Sequence, residues 1–188
     1  YYWPNFMPVV QEMLKRKKFE INVSIPKRTN SIQENILSDA CKEIGVQFIT
    51  ADTEEERIFL LSKKNYDIII VGNVGQLNKI IRSDAVAVMV YHGIGLKNSY
   101  YNDVDDRINI RSVESIARYD ELKSHGHNNL FLTGFTKLDR LSSISNDFID
   151  NIKSSLNIDP IKKTILYAPS FYPTSIEKIC PFLPDLSK

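Results

Sequence analysis

Ser83-Asp-Ala-Val-Ala-Val-Met-Val-Tyr-His-Gly-Ile-Gly-Leu-Lys97 is the stretch whose reading decides the fold. Ala85 to Tyr91 is a nearly unbroken apolar run, as expected of a strand covered on both faces in a parallel sheet. The run ends abruptly in His92, Gly93, Gly95 and Lys97. In open α/β sheets, ligands bind at the carboxyl ends of strands. An imidazole there, beside flexible backbone and a cation, is the strongest chemical lead in the chain.

The segments leading up to that strand alternate in kind. Phe6, Val9, Val10, Met13 and Leu14 follow a helical stripe, with Pro8 read as part of a first turn and Lys15 to Lys18 closing the helix. Phe19 to Ile25 reads as a strand. Ser31-Ile-Gln-Glu34 has the pattern of a capping box. The helix it opens would bury Ile32, Ile36, Leu37, Ala40 and Ile44 and stop at Gly45. Val46 to Ala51 is the next expected strand. Asp52 to Glu56 brings acids to the start of another helix, where the dipole favours them. Asp67 to Gly72 reads as a deeply buried strand, and a short helix spans about Gly75 to Arg82.

This alternation predicts an α/β fold: a Rossmann-like parallel sheet with helices on both faces. Such a sheet normally begins with a strand, and only five residues precede the first helix. A first strand is therefore expected to be missing from this sequence.

Beyond His92 the texture changes. Asn98 to Asp106 reads as a polar, aromatic surface loop and Arg107 to Arg111 as a short strand. Ser115 to Ser124 is expected to be a helix stopped by Gly126. Leu130 to Gly134 reads as a strand ending in a glycine corner. Asn146 to Leu156 is amphipathic through Phe148, Ile149, Ile152 and Leu156, and Lys163 to Pro169 reads as a strand. The expected organisation is one α/β domain over residues 1–140. A connector and the start of an incomplete second domain follow over 141–188.

Composition narrows the function classes. Of 188 residues, 43% are hydrophobic and 25% charged, and the formal net charge is +1. No overall basic field points to nucleic acid. No apolar run approaches the roughly 20 residues of a membrane-spanning helix. Cys41 and Cys180 are far apart and in no metal-ligand spacing, which fits a reducing compartment. His125-Gly-His127 and the acids Asp103, Asp105 and Asp106 read more readily as a polar turn and a solvated loop than as metal sites. Lys15 to Lys18, with Lys27 and Arg28, form either a solvated helix end or a contact for an anionic membrane surface.

His92 itself has two readings. It is either an inert strand-end histidine bonded to backbone, or a base that takes a proton from a hydroxyl nucleophile. On the second reading the glycines admit backbone N–H groups to a ligand, and Lys97 supplies positive charge for phosphate.

Four segments together resemble the CDP-glycerol:glycerophosphotransferase family, the teichoic-acid primases and polymerases and related capsule polymerases. Tyr1-Tyr-Trp-Pro-Asn-Phe-Met-Pro8 is similar to the aromatic-proline lead into their first helix. Tyr91-His-Gly-Ile-Gly-Leu-Lys97 resembles their Trp-His-Gly segment running on to a lysine. Thr133-Gly-Phe-Thr-Lys-Leu-Asp-Arg-Leu141 resembles their Gly-Tyr-Pro-Arg-x-Asp turn, and Ile165-Leu-Tyr-Ala-Pro-Ser-Phe171 their Leu-Tyr-Ala-Pro-Thr-Trp strand. Tyr91, Thr136-Lys137 and Phe171 depart from the family pattern, as in a distant member.

The resemblance implies the N-terminal, acceptor-side half of a GT-B fold. It implies transfer of a glycerol-phosphate-like polyol phosphate from a CDP-activated donor to an acceptor hydroxyl, in the synthesis of teichoic-acid or capsule-type polymers. His92 would be the catalytic residue. Gly93, Gly95, Lys97, Thr133, Gly134, Asp139 and Ser170 would bind substrate. The partners implied are a nucleotide-activated polyol, a polyol-phosphate or glycolipid acceptor and an anionic membrane surface, with no nucleic acid. No metal or other cofactor is implied, the CDP-polyol being a substrate. The setting implied is cytoplasmic, peripheral on the inner face of the cell membrane. The family's second histidine lies in the donor domain, and no histidine follows His127 here, so these 188 residues are expected to be inactive by themselves. Two other readings stay open: a GT-B glycosyltransferase or epimerase acting on a nucleotide sugar, and a non-catalytic α/β binding domain.

Overall fold

The computed structural model describes residues 2–93, 101, 106–168 and 175–182. The chain divides into two compact units, Tyr1–Ser143 and Ile144–Lys188.

In the first unit the order is α1 (Trp3–Arg16), β1 (Asn22–Ser24), α2 (Ser31–Glu43), β2 (Gln47–Ile49), α3 (Glu54–Ser62) and β3 (Ile68–Val71). Then come α4 (Leu77–Ile80), β4 (Val86–Val90), β5 (Ile110–Val113), α5 (Ile116–Ser124), β6 (Leu130–Leu132) and a 3₁₀ segment, Thr136–Ser143. Every pairing among the described strands is parallel. The unit is thus a mixed α/β fold consistent with Rossmann-like architecture. The strands form two sheets, β1-β2 and β3-β4-β5-β6.

Local chemistry explains most helix ends. Thr53 and Ser115 each accept a hydrogen bond from a backbone N–H three residues on, capping α3 and α5. Glu54, Glu55 and Glu56 occupy the first turn of α3. α2 stops as expected at Gly45, which takes φ +72°. Gly45 N–H bonds the Lys42 carbonyl, and Val46 N–H bonds that of Cys41. Gly126 and Gly134 also adopt positive φ where α5 and β6 end.

Several expectations are corrected. α2 is capped by Asn30, whose Oδ1 accepts from Gln33 N–H, and not by Ser31. Glu34 is drawn away from a capping box because Lys27 and Thr50 both donate to its carboxylate. The buried side of α2 is Leu37 and Cys41, while Ile32 and Ile36 are 70% and 63% exposed. α1 begins at Trp3, with Pro4 in its first turn, so Pro8 lies inside the helix. The Phe19–Ile25 strand shrinks to Asn22–Ser24, and the strand expected at Arg107–Arg111 shifts to Ile110–Val113. β3 is less buried than its apolar sequence suggests, with Ile68 40% exposed.

Two apolar clusters hold the first unit. One surrounds β4 and comprises Leu77, Ala87, Met89, Tyr91, Tyr101, Ile108, Val113 and Leu122. The other gathers Val10, Leu37, Cys41 and Val46, with Trp3, Leu14, Val23 and Phe48 packed against it.

At the carboxyl ends of β1 and β2 a charged network ties the loops to α2 and α3. Arg57, buried in α3, grips Glu54 through Nε at 2.9 Å and Nη2 at 2.5 Å and donates to Ser24 Oγ at 3.2 Å. Lys27 N–H donates to Glu54 Oε2, and its Nζ pairs with Glu34 at 3.1 Å. Hydrogen bonding from Arg57 holds the Glu54 carboxyl below its usual range, and Thr50 and then Lys27 do the same for Glu34. A carboxylate depressed in the folded state stabilises the fold above its unfolded value of about 4.3 and loses that effect as pH falls through the folded value. The urea midpoint is therefore expected to hold level from neutral pH to about pH 5 and to fall below about pH 4. The fall should be shallower in Glu34→Gln, and an equally steep fall in that variant would refute the assignment.

The second unit contains α6 (Asn146–Ser155), α7 (Ile176–Ile179) and a 3₁₀ turn, Cys180–Phe182. Ser145 caps α6. Phe148, Ile149, Ile152 and Leu156, the expected apolar face, are exposed. Residues 163–168 form no strand, because none of the described residues pairs with them. No helix among the described residues is long and apolar enough to cross a membrane.

Candidate functional site

Parallel pairing puts the carboxyl ends of β3, β4, β5 and β6 along one rim. The residues that follow these strands are Gly72 and Asn73, Tyr91 and His92, Glu114, and Thr133 and Gly134. The apolar strand around Met89 is buried and turns its first partly exposed titratable side chain, His92, onto this rim.

His92 Nδ1 lies 3.0 Å from the Gly72 carbonyl oxygen. A carbonyl only accepts, so Nδ1–H is the donor. In the neutral ring the basic lone pair is then on Nε2. The backbone bond foreseen for an inert histidine is present, and it also orients the ring as a base would require. The Tyr2 ring lies over the imidazole, with centroids 4.2 Å apart and planes inclined by 30°. Asn73 Nδ2 donates to the Tyr2 hydroxyl at 3.1 Å.

Gly72 makes this arrangement possible. A Cβ at that position would sit 2.9 Å from Tyr2 Cδ2 and 3.3 Å from Phe6 Cζ. Gly72→Ala is expected to displace the Tyr2 ring from His92 and to cost about 1–2 kcal/mol in urea unfolding. A variant with wild-type stability and an unmoved Tyr2 ring in its crystal structure would contradict this.

A shallow recess on this rim is lined by Val90, Tyr91, Ser112, Glu114, Gly134, Phe135 and Thr136, and not by His92. Thr133 Oγ1 lies 2.5 Å from Ser112 Oγ, and its N–H donates to the Val113 carbonyl at 2.9 Å. Thr136 Oγ1 donates to the carbonyl of buried Asn5 in α1 at 2.8 Å, pinning the 3₁₀ segment against the first helix. β5 separates β4 from β6, so His92 and Thr133 belong to strands about 10 Å apart at ordinary sheet spacing.

The sequence-derived site residues thus divide. His92, Gly93, Thr133 and Gly134 fall on the rim. Asp139 is exposed on the 3₁₀ segment and is not part of the recess lining. Gly95, Lys97 and Ser170 lie outside the described residues, as do Asp103, Asp105 and most of the expected loop from Asn98. Tyr2, Gly72, Asn73, Ser112 and Thr136 were not foreseen. The aromatic-proline lead at Tyr1–Pro8 was the one signal that could have pointed to Tyr2.

Tyr101 is buried in the cluster around β4. Its hydroxyl accepts from Nη1 of buried Arg118 at 2.6 Å, and the guanidinium lies 4.7 Å above its ring. Burial first, and a hydrogen bond with Glu121 second, raise its titration above the ordinary phenol range. The His127 side chain, almost fully buried, directs Nε2 to the Tyr101 carbonyl at 2.9 Å. The His125 ring lies 4.6 Å from the Tyr101 ring. Both imidazoles of the His-Gly-His turn are therefore engaged with Tyr101.

By strand pairing the first unit is a mixed α/β domain, and His92 lies at the carboxyl end of one of its strands. Compared with protein-family models, with curated proteins and with solved structures, the chain gives no match.

Proposed function

We propose that this chain is the acceptor-side part of a transferase that moves a polyol phosphate from a CDP-activated donor to an acceptor hydroxyl in cell-surface polymer synthesis. The observation that carries the reading is His92 at the carboxyl end of β4, with Nδ1–H held by the Gly72 carbonyl and Nε2 left as the basic nitrogen. The likeness of its four segments to the glycerophosphotransferases supplies the substrate class.

In the reaction, the acceptor hydroxyl attacks the β-phosphorus and its proton passes to His92 Nε2. The bond from the β-phosphorus to the bridging oxygen breaks, and CMP leaves. Gly93 and Gly95 let backbone N–H groups approach the phosphates, and Lys97 offsets their charge. Thr133, Gly134 and Asp139 contribute on the β6 side, and Ser170 from the donor side. Catalysis is positioning and electrostatics around the phosphates. On this reading residues 1–140 are the acceptor half of a GT-B arrangement, 141–188 lead into the donor half, and the enzyme works at the inner face of the membrane. Of the basic residues proposed to face that surface, Lys15 and Arg16 pair with Glu12 and Lys27 with Glu34, leaving Lys17, Lys18 and Arg28 as its main cations.

The test is CMP release by the native-length polypeptide given CDP-glycerol and a polyol-phosphate acceptor. Acceptor-dependent release supports the proposal. Stabilisation by UDP-sugars with no response to CDP-glycerol would replace it with a glycosyltransferase.

A further inference from the structure

We propose that the seam between β1 and β3 receives one further parallel strand, formed by the stretch of the native polypeptide that runs directly into α1. The proposal rests on sheet pairing and is independent of the chemistry assigned to His92. Among the described residues β1 pairs only with β2, and β3 only with β4, so each of these two strands has one unpaired edge. The core is divided in the same way, into one cluster around β4 and another on β1 and β2.

α1 reaches both sides of this division. Val10, Trp3 and Leu14 join the cluster of Val23 and Phe48, while Tyr2 and Phe6 lie against Gly72 at the end of β3. A helix about 10 Å wide covers two to three strands spaced about 4.8 Å apart. The two edges therefore lie beneath one helix.

A strand in the seam turns the order into β2-β1-seam-β3-β4-β5-β6. That is the doubly wound order 3-2-1-4-5-6, extended by β6, with the seam in first place. Handedness then selects the occupant. A strand in the seam followed by α1 and then by β1 is a βαβ unit of parallel neighbours, which closes with the right-handed crossover. Direction agrees as well. A parallel strand would finish at the same rim as β3, and Tyr2 stands there beside Gly72 and His92. Flanked on both sides, the strand would be apolar and β-branched. It would carry Tyr2 onto His92 and fix that contact.

The test adds ahead of Tyr1 a strand of alternating valine and isoleucine about five residues long. A control addition has prolines at its second and fourth positions. Residue-resolved amide exchange is read in both and in the unextended chain. The strand addition is expected to slow exchange of the β1 and β3 amides that face the seam by about tenfold or more. The proline control should leave them unchanged, because proline cannot complete the ladder. Equal protection by both additions would overturn the proposal. So would seam amides in the unextended chain already as slow as those of β4, since another part of the chain would then fill the seam. Protection that rises with protein concentration would assign the seam to a second copy instead. If the strand addition is insoluble, the same strand with flanking lysines is supplied as a free peptide and judged by the same exchange rates.

Discussion

Replacing His92 by alanine in the native-length polypeptide is expected to lower acceptor-dependent CMP release by about 10²–10⁴-fold, the usual contribution of a positioned general base. The fold should survive. The side chain is only partly buried, and it sits at the rim with Nδ1 on the Gly72 carbonyl. Loss of that bond is worth about 1 kcal/mol, too little to unfold the domain. His92→Gln separates the roles further. It can restore a donor toward Gly72 but supplies no base near neutral pH, so it should remain as slow as alanine. Turnover close to wild type in either variant would remove His92 from the mechanism while leaving the fold untouched.

The second large effect is structural. Glu54→Ala is expected to destabilise the first unit by about 2–3 kcal/mol, because it leaves the buried Arg57 guanidinium without its carboxylate. Breaking a fully buried pair would cost more, but the Glu54 side chain is 27% exposed, and water takes up part of the loss. Glu54→Leu combined with Arg57→Met should recover much of the stability by removing both charges together. Urea unfolding of the three variants decides this. A Glu54→Ala protein as stable as wild type would show that water reaches the guanidinium and that the pair contributes little.

Between these two sites lies the division between what was legible and what was not. The helix ends were legible where a glycine decides them. Gly45 and Gly126 sit at positive φ past α2 and α5, as read; the caps Thr53 and Ser115 were not singled out. Glu34 misled because the capping-box pattern is local, whereas Lys27 and Thr50, brought close by the fold, compete for the same carboxylate. Ile32 and Ile36 misled for a related reason. Periodicity marks an apolar stripe, but the packing of α2 against its neighbours selects Leu37 from it and adds Cys41, which the stripe did not include. Lys163 to Pro169 reads as a strand, yet residues 163–168 form none, since a strand exists only where a partner accepts its hydrogen bonds.

By itself, the sequence determined the alternation of helices and strands, the parallel α/β class, and the delivery of His92 by the central apolar strand. These follow from short-range causes: hydrophobic period, capping chemistry and the conformational range of glycine. Tertiary structure alone decided that Tyr2 covers His92, that Gly72 both admits the ring and orients the imidazole, and that Thr136 reaches Asn5 across 131 positions. It also decided that the sheet divides between β1 and β3. Each of these contacts joins segments far apart in the chain, where no local period or turn signal encodes the partner. Only the pairing order of the strands brings them together.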